Sequence, residues 1–494
     1  MRLILAITCL CLFLGTKLFA QTNNACATPA PLPFHFSFIE QHREHQGTEN
    51  SFRLPVTLHI IRTNSGSSSF NSQLAIDALC AVNTRFQPVG ISFYLAGPIR
   101  FINRSDLTNP VSFAAASAIL DEFNVARTIN IYYTNLANFG TCAFAFFPGI
   151  GPGGPQNQGG VVMGTNCAAG DGALLAHELG HYFNLPHTFD ETALNPRDWL
   201  FAERVTRNNN ELAPRLSANC ANTGDRFCDT PADFLQVRWP CPSSITQTDT
   251  NGDLFQPDAS LYMGYARDSC MQRFSPQQIA VMRATLSTPT APRAYLLLQP
   301  QPLGVTSLTT PQLLVPGSTD SQIAVNGGRL VWTQSANAQW YQVRLFQFNN
   351  QLLLDTVVSD TFWQVPQGLL RINRPYRWQV RALGRDAYCS SPSPFFDFTA
   401  RLASSLADLT QRGIEIFPQP SQGAVQMRGL PADTHVRLNL FNAQGKRLST
   451  ATLLTDASGN LQWEHQEVPA GIYLLKIDAM QQQYTLRLLV STNP

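Results

Sequence analysis

Residues 171–190, DGALLAHELGHYFNLPHTFD, carry three of the chain's nine histidines: His177, His181 and His187. His177 and His181 are four apart, so on a helix they project from one face. Glu178 follows the first of them and sits beside that face. Two imidazoles at this spacing with an adjacent carboxylate are the sequence form of a catalytic zinc site, with the glutamate as general base. Asn184 can end the helix, because asparagine tolerates the left-handed conformation, and Pro186 forbids continuation. His187 then comes round as a third nitrogen ligand, which leaves one position of a tetrahedral zinc open for water.

A bare HExxH arises by chance; a third histidine just past a helix stop is harder to obtain that way. The run HELGHYFNLPH resembles the long zinc motif HExxHxxGxxH of the metzincin metallopeptidases. Asn184 stands where that motif has glycine, and both residues serve a backbone that needs positive φ.

The chain has 494 residues, a length suited to about three domains. Net charge is +1 and charged residues make up 14%, so nothing points to nucleic acid or an anionic membrane. Residues 1–20 read as a signal peptide: Arg2, an apolar run too short to span a bilayer, then Leu18-Phe19-Ala20. No later stretch approaches transmembrane length, so the mature chain is expected to be exported and free of a membrane span. Residues 21–53 are polar, proline-bearing and poor in core residues, as a pro-segment would be, with a short helix in FIEQHREHQG. Their three histidines, His35, His42 and His45, lack zinc spacing and read as surface residues.

From residue 54 the pattern alternates. LPVTLHII is a strand in which His59 reads as a satisfied sheet residue; residues 72–86 have helical periodicity, 91–95 are a strand, 111–123 a helix and 129–133 a strand. FGTCAFAFFPG and GVVMG supply two more strands ahead of the zinc helix. The expected fold is therefore α/β (α+β), a twisted mixed sheet with the zinc helix, over residues 54–290. An edge strand just ahead of that helix could pair with an extended substrate. Residues 291–318 read as a proline-rich linker. Residues 319–402 alternate in short strands with Trp332, Tyr341, Tyr376 and Trp378 at inward positions, the pattern of a β-sandwich. After a second linker at 403–412, residues 413–494 give another all-β sandwich.

Several motifs narrow the family. LPVTLHIIRTNSG, FGTCAFAFFPG with GGVVMG, the zinc motif followed by HTF, GDRFCDTPA, and YMGY ahead of FSPQQ together resemble the pappalysin (cytophagalysin) family of metzincins over about residues 54–286. That resemblance implies a zinc metalloendopeptidase acting on protein or peptide substrates. It implies that Met263 forms a Met-turn beneath the zinc and that the Tyr265 phenol approaches the metal and stabilises the oxyanion. It suggests the disulfides Cys220–Cys241 and Cys228–Cys270, and calcium near Asp225, Asp229 and Thr230, whose oxygens are hard ligands. Residues 319–402 look like a fibronectin type III domain. IFPQPSQG, NAQGK and VPAGIYLLKI resemble the C-terminal sorting domain of the type IX secretion system, which makes that machinery a partner and the destination secreted or cell-surface, via the periplasm.

Beyond the signal, nine cysteines remain, so at least one is unpaired within the chain. Cys142 and Cys167 flank a glycine-rich loop and are candidates for a third bridge. Cys26 lies just after the signal. Either its thiolate fills the open zinc position and keeps the exported protein latent, or it pairs with Cys80 or Cys389. A different class of function also fits: a surface-binding or adhesin protein built on a catalytically weak peptidase scaffold.

Overall fold

The computed structural model describes residues 24–47, 51–66, 70–152, 158–168, 170–191, 200–208, 216–241, 245–302, 304, 307–317, 322–325, 328–401, 414–465, 468–479 and 482–491. The expected signal (1–20) and the second linker (403–412) lie outside them.

The region that holds the zinc motif is a seven-stranded sheet with helices on both faces. Its elements are β1 (Asn24–Cys26), α1 (Pro33–His42), β2 (Phe52–Arg62), α2 (Gln73–Arg85), β3 (Ile91–Leu95), β4 (Arg100–Asn103), α3 (Phe113–Phe123), β5 (Ile129–Thr134), β6 (Thr141–Ala145), β7 (Val161–Gly164) and α4 (Ala173–Tyr182). The strand order is β1-β6-β7-β5-β2-β3, with β4 also on β2. All pairs are parallel except β6 with β7. Strand side chains alternate between faces. In β2, Leu54, Val56, Leu58 and Ile60 join the core shared with α2 and α4, and Ile61 turns to the core under α3. Among the described residues no helix is long and apolar enough to cross a membrane.

Residues 24–47 are not the coreless segment expected from composition. Phe36 and Ile39 sit in the main core, and the helix begins at Pro33, earlier than the sequence pattern placed it. His35 is buried rather than on the surface: its Nδ1 accepts the Leu32 amide and its Nε2 donates to the Pro148 carbonyl. His59 is buried in β2, hydrogen-bonded to Asn130 and stacked on Tyr132.

After α4 the chain runs irregularly through the short β8 (Gln247–Thr248) and β9 (Leu254–Phe255) to α5 (Pro276–Ser287). Ser275 caps α5 in a capping box with Gln278. Two expected disulfides are replaced. Cys220 pairs with Cys228, and Cys241 pairs with Cys270. The 220–228 turn folds back on itself, leaving its two cysteines 5.1 Å apart at Cα. A backbone bridge between Trp239 and Ala266 lays Cys241 alongside Cys270. Cys142–Cys167 is present, Cys80 pairs with Cys389, and Cys26 is a buried free thiol.

Two further β-rich regions follow. The central one has β10 (Leu313–Val315), β12 (Arg329–Trp332) and β15 (Phe362–Gln364) in one sheet. Its other sheet is β11 (Gln322–Ala324), β17 (Phe396–Arg401), β16 (Pro375–Leu383), β13 (Trp340–Gln347) and β14 (Leu352–Val358). Trp332, Tyr341, Tyr376 and Trp378 are all buried in its core. The C-terminal region has β18 (Glu415–Phe417), β19 (Ala424–Arg428) and β22 (Leu461–Glu464) facing β21 (Arg447–Leu454), β20 (His435–Phe441), β23 (Gly471–Ala479) and β24 (Gln482–Val490), around its own core.

Candidate metal centre

The helix α4 places His177, Glu178 and His181 at its C-terminal half, all buried. It stops as the sequence requires. Asn184 has φ of 73°, and the Leu185 amide reaches back to the Gly180 carbonyl, the hydrogen bond that closes a Schellman end. The reversal carries His187 to the same point in space. Gly180 is needed for a different reason: a Cβ there would lie 2.3 Å from the Met263 Sδ. Met263 is fully buried beneath the helix, and its carbonyl accepts the Thr188 amide.

Each imidazole is oriented by an oxygen. Nδ1 of His177 donates to the Tyr262 carbonyl, Nδ1 of His181 to the Leu185 carbonyl, and Nδ1 of His187 faces the Asp190 carboxylate at 3.3 Å. The Nε2 atoms of neutral rings are then bare lone pairs. They converge: His181 Nε2 lies 3.2 Å from His177 Nε2 and 3.1 Å from His187 Nε2. Burial, then the other rings, depresses His177 to about 3 and holds His181 well below the usual histidine range, so both stay neutral. Three lone pairs aimed at one point repel unless a cation sits among them, which is a metal-binding donor set.

Cys26 completes the cluster. Its Sγ and one nitrogen from each histidine all lie within 4.8 Å of one another. Three nitrogens and a sulfur are a closed tetrahedral set for zinc. Residues 24–47 hold this thiol in place in several ways. β1 adds to β6 in parallel, pairing Asn24 with Thr141 and Cys26 with Ala143. Thr28 Oγ1 accepts the Ala145 amide and donates to Glu178 Oε2 at 3.2 Å. The Cys26 thiol also points to Glu178 Oε2, at 3.6 Å. Burial raises the Glu178 carboxyl to about 8. The Tyr265 hydroxyl donates to the Cys26 carbonyl at 3.0 Å, and its ring stands edge-on to His187.

The Asp225, Asp229 and Thr230 trio does not meet at one point. Asp225 is buried and accepts both the Phe227 amide and the Thr230 hydroxyl, whereas Asp229 binds Ser275 and the Gln277 amide at the start of α5. Glu203 and Asp233 are the other buried carboxylates near Asp225; burial first, then mutual repulsion, pushes Glu203 well up.

Two contributors escaped sequence reasoning. Thr28 is one; its proximity to Cys26 in CAT was the only available signal. Arg293 is the other, in the stretch expected to be a linker. Fully buried, it donates to the carbonyls of Tyr182, Gln158 and Phe146, and so secures the C-terminal end of α4. A cation beside the last carbonyls of a helix is favourable.

Two histidines and a buried glutamate on one helix, a third histidine just past its stop and a methionine turn beneath are the donor set of a metallopeptidase centre. Residues 119–287 match the peptidase family described as pregnancy-associated plasma protein-A, and residues 415–491 match the secretion system C-terminal sorting domain. The chain thus carries a pappalysin-like peptidase domain and ends in a type IX sorting domain. An extracellular metalloprotease of Arthroderma gypseum is 24% identical over 238 residues, 46% of this chain and 69% of its own length. One from Verticillium alfalfae is 26% identical over 255 residues, 48% of this chain and 78% of its own. Among solved structures, mirolysin in complex with compound 9 covers 51% of this chain and 97% of its own, at 20% identity and a TM-score of 0.38. The peptidase-family match and the extracellular metalloprotease relatives support a metallopeptidase, and the sorting domain supports a secreted or cell-surface location.

Proposed function

We propose that this chain is a secreted zinc endopeptidase, held latent until its first segment is removed. The observation that carries the reading is the convergence of three imidazole nitrogens, one thiol and one buried carboxylate around the end of one helix. His177, His181 and His187 would hold zinc, and Cys26 would be the fourth ligand while residues 21–53 remain. The chemistry zinc would supply there, when bound, is Lewis acidity, which would lower the pKa of water towards ~7 and polarise a peptide carbonyl. Departure of Cys26 and Thr28 leaves Glu178 facing the vacated position, ready to take a proton from water and pass it to the leaving amine. The Tyr265 hydroxyl, freed from the Cys26 carbonyl, becomes a donor for the oxyanion. The same departure strips β1 from β6, whose free edge can then pair with an extended peptide.

In this reading residues 54–290 are the peptidase domain, 319–402 a fibronectin type III-like sandwich, and 413–494 a sandwich that directs passage from the periplasm to the outside. Calcium is placed near Asp225 and Thr230, whose buried oxygens are hard ligands. Asp229 is left out, being engaged at the start of α5. Added calcium should raise the melting temperature; a melt indifferent to calcium and to a chelator selective for it removes the site.

The decisive experiment is a peptide-library digest with the processed protein and its Glu178→Ala variant. The variant should lose ~10²–10⁴-fold in rate while retaining zinc, because the base goes and the ligands stay. A loss of only a few-fold would refute the role of Glu178.

A further inference from the structure

We propose that the central β region is a brace for the zinc helix, acting through α2, and not a spacer. The proposal rests on the peptidase reading for its effect on turnover, but its structural part stands apart from it.

The central region meets the peptidase domain at β2 and β3, where Asp386 pairs with Arg53 and Arg385 exchanges bonds with Leu95, and along α2, whose ties lead on to the metal centre. Ser72, at the start of α2, has helical φ and ψ and makes no side-chain cap of its own. Its amide instead donates to the buried Asp355 carboxylate of β14 at 2.7 Å, and its hydroxyl accepts from Gln342 of β13 at 2.6 Å. A carboxylate at a helix N-terminus satisfies an orphan amide and meets the positive end of the helix dipole. Arg344 reaches the Asn71 side chain. Further along α2, Asp77, Cys80 and Asn83 stand at three-residue steps on one side of the helix. They take, in turn, an ion pair with Arg381, the disulfide to Cys389 and a hydrogen bond to the Tyr388 hydroxyl. A mere spacer needs none of these directional ties.

The other side of α2 meets the metal centre's supports. Gly172, where α4 begins, packs so close that an added Cβ would lie 2.7 Å from the Ala78 carbonyl and 3.0 Å from the Ala81 Cβ. Arg85, at the end of α2, donates to the Asp171 carbonyl, the Tyr262 hydroxyl and the Met271 carbonyl. Tyr262 is the residue whose carbonyl orients His177. A continuous set of contacts therefore runs from Asp355, Arg381 and Cys389 through α2 to both the start of the zinc helix and the Met-turn. Asp355 and Arg381 are positioning residues.

The test uses the full chain with Asp355→Asn, and Arg329→Ala on the far sheet as a control. Asp355→Asn should quicken amide exchange in α2 and α4 and raise the rate at which a chelator strips zinc about tenfold, with exchange in the C-terminal β region unchanged. After processing, kcat should fall by a similar factor while KM holds, because ligands and base are displaced and the substrate edge at β6 is not. Zinc loss at the control rate overturns the proposal, whether or not α2 loosens. If Asp355→Asn does not fold, Arg381→Gln removes the tie to Asp77, together with the Nε bond to the Ser390 carbonyl within the central region, and should show the same pattern at about threefold; unchanged zinc loss there overturns it equally. A chain that keeps zinc yet cleaves no peptide overturns the peptidase reading alone, since zinc retention and exchange do not need turnover.

Discussion

Asn184 does two things at once. Its positive φ ends the zinc helix, which the spacing of the motif foretold, and its side-chain amide donates to the His35 carbonyl, which nothing in the motif foretold. Glycine at this position would keep the turn and lose the tie to α1. Cys26 is the other residue, the one on which the proposed latency turns. Its alternative partners, Cys80 and Cys389, are bonded to each other, which leaves its thiol for the histidine cluster. Cys26→Ser in the unprocessed chain should therefore hydrolyse peptides before any cleavage, because a neutral hydroxyl holds zinc far more weakly than a thiolate. An unprocessed variant that stays inactive would count against the thiol switch and leave latency to β1 and α1.

At the scale of elements, β2 shows how a buried strand constrains protonation. His59 donates through Nε2 to Asn130, whose Oδ1 already accepts the Val125 amide and so must act as acceptor. Burial depresses the ring to about 3. An unfolded histidine titrates near 6.5, so between these values the unfolded chain binds more protons than the folded one. Stability is thus complete above that window and is lost as pH falls through it. Denaturant unfolding at about pH 6 and about pH 4 should show roughly 2 kcal/mol more loss in the natural chain than in His59→Gln. Equal losses in the two proteins would mean the ring is not held neutral. The disulfides carry the opposite lesson about elements. The pairing expected from resemblance failed where an eight-residue turn closed on itself at Cys220–Cys228, because local chain reversal brings near neighbours together before distant ones.

For the whole molecule, the C-terminal β region differs from the central one. Among the described residues its core draws only on those between 414 and 490, whereas Leu383 and Tyr388 of the central region extend the peptidase core itself. Deleting residues 413–494 should therefore block export yet leave a processed enzyme with unchanged peptide hydrolysis, assayed on protein recovered from inside the cell. Normal secretion of the shortened chain would overturn the sorting role. Much of this molecule was legible in one dimension. The zinc helix, its stop, the alternating elements of the sheet and the aromatic core positions at Trp332 and Trp378 follow from spacing, because backbone periodicity and metal geometry are set by neighbours a few residues apart. What spacing cannot carry is where separate segments meet. The buried place of His35 and α1, the capping of α2 by Asp355, the clamp of Arg293 on the zinc helix and the seat of Cys26 among three histidines all join residues more than a hundred positions apart. Only the packed chain brings such partners within hydrogen-bonding reach, where burial makes each unsatisfied donor too costly to leave.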